Sequence, residues 1–162
     1  MMSWSRTTLL PIVVAVVGVT VVALAGGLAT DTGPWYQELA KPSWQPPDWL
    51  FGPAWTTIFA LIAAAGVRAW WDSSPGSERQ TLLAQFAING ILNVFWSVLF
   101  FALRRPDWAL AEVVFLWLSI LAIILTVRRR SPVAAWLLLP YLAWVSFASL
   151  LNLAVVRLNP AF

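Results

Sequence analysis

At 162 residues the chain is long enough for one domain, but 60 % of it is hydrophobic and only 10 % charged, where soluble domains run at about 45–50 % and 25 %. Lipid rather than water is therefore the expected solvent. The absence of cysteine and histidine excludes disulfides, thiolate nucleophiles, imidazole bases and the commonest ligands of zinc and haem iron, and a net charge of +3 in such a chain belongs to loop arginines rather than to a nucleic-acid-binding face.

Charged residues punctuate the chain. The first uncharged run is residues 7–30, 24 long. Its apolar part, Leu9 to Ala25, ends in Ala-Leu-Ala like a signal-peptide site, but its 17 residues exceed the roughly 7–15 of such a segment, so a retained helix over 7–30 is expected. The connector 31–48 follows, carrying WYQELAKPSWQPPDW at 35–49. Pro34 suits the first turn of a short helix, Pro42 ends it, and Pro46-Pro47 stiffen the return. So restrained a connector reads as a lid over the bundle. Trp44 and Trp49 are expected to seat the lid, and Trp35 to act as an interfacial anchor.

Four further spans follow at about 49–69, 80–103, 108–127 and 133–157, each close to the roughly 17–25 residues that cross a bilayer. Runs such as FLWLSILAIILTV do not alternate, which excludes a transmembrane β-barrel. The connectors between them are short. One spans 72–78 and turns at Pro75 and Gly76; RRPD and RRRSP carry Pro106 and Pro132. Neighbouring helices are therefore antiparallel. The expected fold is an all-α membrane protein: one domain, 1–162, of five transmembrane helices with a structured loop between the first two. Arg6, Arg68, Arg79 and Arg128–Arg130 fall on one side, and Lys41, Arg104, Arg105 and Arg157 on the other. That excess places the N-terminus in the cytoplasm.

Polar residues inside the spans share faces. Asn89, Asn93, Trp96 and Ser97 follow helical spacing, as do Tyr141, Trp144, Ala148 and Asn152. Carboxamides are costly against lipid, so both faces are expected to point inward, as interhelical glue or as the polar part of a pocket. Trp4, Trp70, Trp71, Trp108 and Trp136 lie near span ends and read as interface residues, whereas Trp96 and Trp144 are deeper. Glu112, the carboxylate within a span, reads as interfacial, near the positive end of its helix, with a proton or cation role as the alternative. No paired intramembrane charges, phosphate loop or metal cluster occurs in the sequence.

Three segments carry a resemblance: WYQELAKPSWQPPDWLFGPAWT (35–56), NVFWSVLFF (93–101), and PYLAWVSFASLLN (140–152) with RLN at 157–159. Together with the five spans they resemble the TspO/translocator protein family, across essentially the whole chain. The resemblance implies a homodimer that binds porphyrins, protoporphyrin IX or haem, as ligand, with no cofactor required and no metal site. Its implied pocket lies under the first connector and is lined by Tyr36, Pro46, Trp55, Phe59, Asn93, Trp96, Trp144 and Ala148. Phe59 stands where many members have tyrosine. The Leu/Val–Tyr–Lys/Arg cholesterol motif is missing from the last helix, so specific sterol recognition is not expected.

The function expected from residues and resemblance together is tetrapyrrole binding in a membrane, as sensor, scavenger or regulator of porphyrin levels or traffic. The expected location is a bacterial cell membrane. The alternatives are light- and oxygen-dependent porphyrin degradation, with Trp55 and Trp144 as candidate participants, and porphyrin transport, for which no energy-coupling motif is present. A conventional enzyme is not expected, nor nucleic-acid binding; the partners are a planar apolar small molecule and the bilayer.

Overall fold

The computed structural model describes residues 6–159, so the interface reading of Trp4 lies outside the described residues. Six helices occur among them: α1 (Arg6–Ala29), α2 (Pro34–Glu38), α3 (Phe51–Asp72), α4 (Ser77–Ser97), α5 (Pro106–Val127) and α6 (Pro132–Leu158). A 3-10 turn, Asp48–Leu50, leads into α3, and a π-helical turn, Val98–Ala102, extends α4. All but α2 are long and apolar enough to cross a membrane. Many of their large apolar side chains are exposed, among them Leu28, Phe115, Leu118, Trp136 and Leu150. In lipid that exposure costs nothing, so the chain is an integral, multi-pass membrane protein.

Helix ends follow local chemistry. Proline opens α2, α5 and α6 at a position where the missing N–H has no helical partner. Pro11 and Pro140 lie inside α1 and α6, which membrane helices tolerate. Gly76 precedes α4 with φ of 102°, a backbone state that suits glycine. The helices exceed the expected spans most at the α3–α4 turn, which shrinks to residues 73–76. Arg68 pairs with Asp72 at 2.9 Å within one turn of α3, and Glu78 accepts from the Ser74 N–H at 2.9 Å. A charge marks the limit of a span in the sequence, yet beyond the hydrocarbon it extends a helix as well as ends it.

The five spans form a closed ring in the order α1, α3, α6, α5, α4, back to α1. The tightest packing is along α5, whose Val113, Leu116, Ile120 and Ile123 meet Leu138, Tyr141 and Val145 of α6 and Ile58, Ile62 and Ala65 of α3 in one buried core. The α1 helix contributes little to that core; beyond it, Gly90 lets α1 approach α4, since a Cβ there would lie 2.9 Å from Val22 Cγ2. One end of the ring is held by side chains: Arg130 meets Glu78 at 2.6 Å, and the Ser131 hydroxyl donates to Asp72 at 2.6 Å. The other end is covered by the α1–α3 connector.

Candidate functional site

Between α1, α3 and α4 lies a cavity of about 830 Å³, within the roughly 300–1,000 Å³ of small-molecule sites. Its walls are apolar: Val14, Val19 and Val22 of α1, Ile62, Ala63 and Gly66 of α3, Leu82, Phe86 and Val94 of α4. Asn89, Asn93 and Tyr141 supply polar atoms on one wall, and Phe59 and Trp70 add aromatic faces. A second cavity, of about 220 Å³, sits at the end held by Glu78 and Arg130, and half of its lining residues carry hydroxyls.

The polar wall is an ordered chain of hydrogen bonds. Asn93 Nδ2 donates to the Tyr141 hydroxyl at 3.1 Å, Tyr141 donates to Asn89 Oδ1 at 3.3 Å, and Asn89 Nδ2 donates to Ser119 Oγ at 2.8 Å. Ser119 in turn donates to the Leu116 carbonyl at 2.7 Å. A second set joins α4, α5 and α6: Trp96 Nε1 donates to Asn152 Oδ1 at 3.3 Å, and Asn152 Nδ2 to the Pro106 carbonyl at 2.9 Å. The buried asparagines therefore do act as interhelical glue, each such bond contributing about 0.6 kcal/mol, and Asn89 and Asn93 also face the cavity.

Of the eight residues implied by the resemblance, two line the large cavity and most of the others are joined by aromatic contacts. Trp55 stacks on Phe59 with ring centres 5.4 Å apart and meets Tyr141 edge-on at 6.2 Å; Phe59 and Asn93 line the cavity. Trp96 stacks on Phe100 at 5.2 Å and meets Phe101 at 6.1 Å, and Phe101 lies 5.6 Å from Tyr36. Trp144 packs against Phe51 and Phe147, both at 5.7 Å. Pro46 and Ala148 are half-buried. Tyr36, Pro46, Trp55, Trp96, Trp144 and Ala148 do not line the large cavity.

The connector is fastened over one end of the bundle. Tyr36 donates its hydroxyl proton to Asp48 at 3.3 Å and accepts from Gln45 Nε2 at 3.3 Å, while Lys41 Nζ sits 3.9 Å from its ring centre. Burial of the ring, then the Asp48 charge, pushes its phenol up to about 12, with the Gln45 hydrogen bond acting in the opposite sense. Asn159 clasps the lid from α6, accepting from the Ala40 N–H at 3.0 Å and donating to the Ala40 carbonyl at 2.9 Å. The π-helical turn adds a residue to the last turn of α4, and its Phe100 and Phe101 both reach the lid, Phe100 through Trp35 at 6.3 Å.

Two expectations are corrected. Trp49 does not seat the lid: it is 72 % exposed, in a 3-10 turn that has no buried residue. Trp35, expected only as an anchor, packs edge-on against Phe100 and helps seat the lid; Trp44 does so too, through Phe147 at 5.8 Å, although it is half exposed. Glu112 lies early in α5 and is turned inward: it is 6 % exposed, and both carboxylate oxygens lack a hydrogen-bond partner among the described residues. It shares the buried face of α5 with Ala109 and Leu116.

The apolar cavity walls are hidden in the sequence because Ile62, Ala63, Gly66 and Phe86 look like any lipid-facing residues. Gln45 and Ser119 are hidden too, as nothing in the local pattern marks the groups they meet. Asn159 lies within the RLN segment, but its spacing gives no hint of Ala40.

The TspO/MBR family profile matches residues 12–158. The chain is 42 % identical over 126 residues to the tryptophan-rich protein TspO of Chlorobaculum tepidum, covering 78 % of this chain and 80 % of that one. It is 36 % identical over 150 residues to the translocator protein of Sus scrofa, covering 88 % and 89 %. It is 35 % identical over 125 residues to the tryptophan-rich sensory protein of Cereibacter sphaeroides, covering 77 % of each. With a profile that runs from α1 to the end of α6 and relatives aligned over most of their length, the chain belongs to the TspO/MBR family.

Proposed function

We propose that this membrane protein binds a porphyrin, protoporphyrin IX or haem, and acts as a sensor, scavenger or regulator of porphyrin levels or traffic. The observation that carries the reading is the 830 Å³ apolar cavity with a short polar wall and the Trp55–Phe59 stack at its edge. Such a space suits a large, flat, mostly apolar molecule held by burial and stacking. The ligand spans from the cavity to the underside of the lid, where Tyr36, Pro46, Trp96, Trp144 and Ala148 close over its edge. The name of the Cereibacter relative, a sensory protein, supports the regulatory sense. With no histidine or cysteine, haem gains no strong axial ligand and binds like the metal-free ring.

The working unit in this reading is a homodimer in the cell membrane of a bacterium. Its N-terminus is cytoplasmic, since Arg68, Arg79 and Arg128–Arg130 gather at that end of the helices. Ala63→Phe tests the cavity by filling it. Porphyrin binding should fall at least about tenfold with helix content unchanged; undiminished binding would move the ligand elsewhere.

A second reading is favoured by the contacts of Trp55. It touches both Phe59 and Tyr141, so an oxidisable indole stands beside two residues that line the cavity. Bound porphyrin under light and oxygen would then supply the photochemistry, with Trp55 and Trp144 as electron donors. Illumination of the complex should yield a new tetrapyrrole product that Trp55→Phe suppresses. Simple bleaching, equal in both proteins, would reject this reading.

A further inference from the structure

Hydroxyls and amides can usually be turned either way, but the chain that ends at Asn93 is anchored at one end. A backbone carbonyl, that of Leu116, can only accept, so the single Ser119 hydroxyl hydrogen is spent on it at 2.7 Å. Ser119 Oγ must then accept, which turns the nitrogen of Asn89 toward it at 2.8 Å. Asn89 therefore offers its oxygen to Tyr141, whose one hydroxyl hydrogen goes there at 3.3 Å. Tyr141 has no hydrogen left for Asn93, so at 3.1 Å it receives the amide nitrogen. Reversing Asn93 would set two acceptors against each other.

Each side chain in this chain thus has its orientation dictated by the one before it, from α5 through α4 and α6 and back to α4. At the last position one hydrogen of Asn93 is committed and both lone pairs of its Oδ1 are unspent. That oxygen has no partner among the described residues, yet it is not sealed within protein; the space beside Asn93 is the large cavity.

We infer that Asn93 Oδ1 is a fixed acceptor in the cavity wall, selecting flat apolar ligands that carry an N–H or O–H at their edge, and that Ser119 is the positioning residue that fixes it. A closed tetrapyrrole points its own N–H groups inward, so on such a ring the matching donor is an edge carboxylic acid. The inference rests on the reading of this cavity as the ligand site, but not on the ligand being a tetrapyrrole.

The test uses the full chain in lipid nanodiscs and two probes of nearly equal shape. Carbazole carries an edge N–H, and fluorene has a CH₂ in its place. Binding is read by tryptophan quenching, and the carbazole-to-fluorene affinity ratio of each variant is compared with that of wild type, which cancels their different partition into lipid. Wild type should exceed Asn93→Leu in this ratio by about three- to tenfold, the worth of one hydrogen bond. Ser119→Ala, which leaves the cavity walls intact, should narrow the ratio toward that of Asn93→Leu, and Ser119→Thr, which keeps the hydroxyl, should restore it. The same ratio in all four proteins, or no binding of carbazole, would overturn the inference. A carbazole preference without protoporphyrin binding would reject the tetrapyrrole reading alone, and protoporphyrin binding without the preference would reject this inference alone.

Discussion

Tyr36 lies in the lid between one carboxylate and one cation. Its phenol is pushed up to about 12 by burial and by Asp48, so the neutral ring, donating to Asp48 at 3.3 Å, is the form the lid holds. A folded-state pKa above the unfolded value of about 10 contributes stability that is whole below pH 10. That contribution is lost as pH rises toward 12. Ultraviolet titration, with Tyr36→Phe subtracted, should place Tyr36 near 12, and Asp48→Asn should bring it down toward 10. An ordinary tyrosine titration in the wild-type protein would show that the lid does not enclose the ring. Ala148 belongs to the same scale. It is half-buried on α6, one turn beyond Trp144, and in the proposed reading a larger side chain there would take up the ligand's space beneath the lid. Ala148→Leu should weaken porphyrin binding about tenfold and leave the thermal midpoint within a few degrees. Unchanged affinity would remove α6 from the binding wall.

Elements show where the sequence was legible and where it was not. The five spans follow from charge spacing, since a charge inside hydrocarbon is costly enough to mark each limit. Helix α2 follows from Pro34, and the inward faces of α4 and α6 follow from Asn89, Asn93, Tyr141 and Asn152, whose amides and hydroxyl need partners that lipid does not supply. For Glu112, distance from the helix start says how deep it lies along the axis but not which way it points. Rotation about α5 is set by Leu116 and Ile120 packing on α6, and that same packing turns Glu112 inward. Trp49 misled because an indole beside a membrane serves equally well facing lipid or protein. The lid latch was illegible, for Asn159 and Ala40 are 119 residues apart. Their two hydrogen bonds hold the loop to α6, at about 1 kcal/mol each. Asn159→Ala should therefore speed ligand release about tenfold or more with little change in association, as read by stopped-flow fluorescence. An unchanged off-rate would mean that ligand leaves by another route, such as between helices.

At the scale of the molecule, a tight α5–α6 seam and a loosely packed α1 leave the cavity on the side where α1, α3 and α4 meet. The family and the five-helix architecture were readable from the sequence; the cavity was not, because it is a gap between apolar faces, and no residue type marks a gap. The central claim is that this gap and the lid above it hold a porphyrin. The most direct measurement is tryptophan quenching by protoporphyrin IX, titrated in the dark into the purified chain in lipid nanodiscs, beside Ala63→Phe in the same lipid. Saturable quenching near one porphyrin per chain, lost in the filled variant, is the result expected. Quenching that never saturates, or that is the same in both proteins, would contradict it.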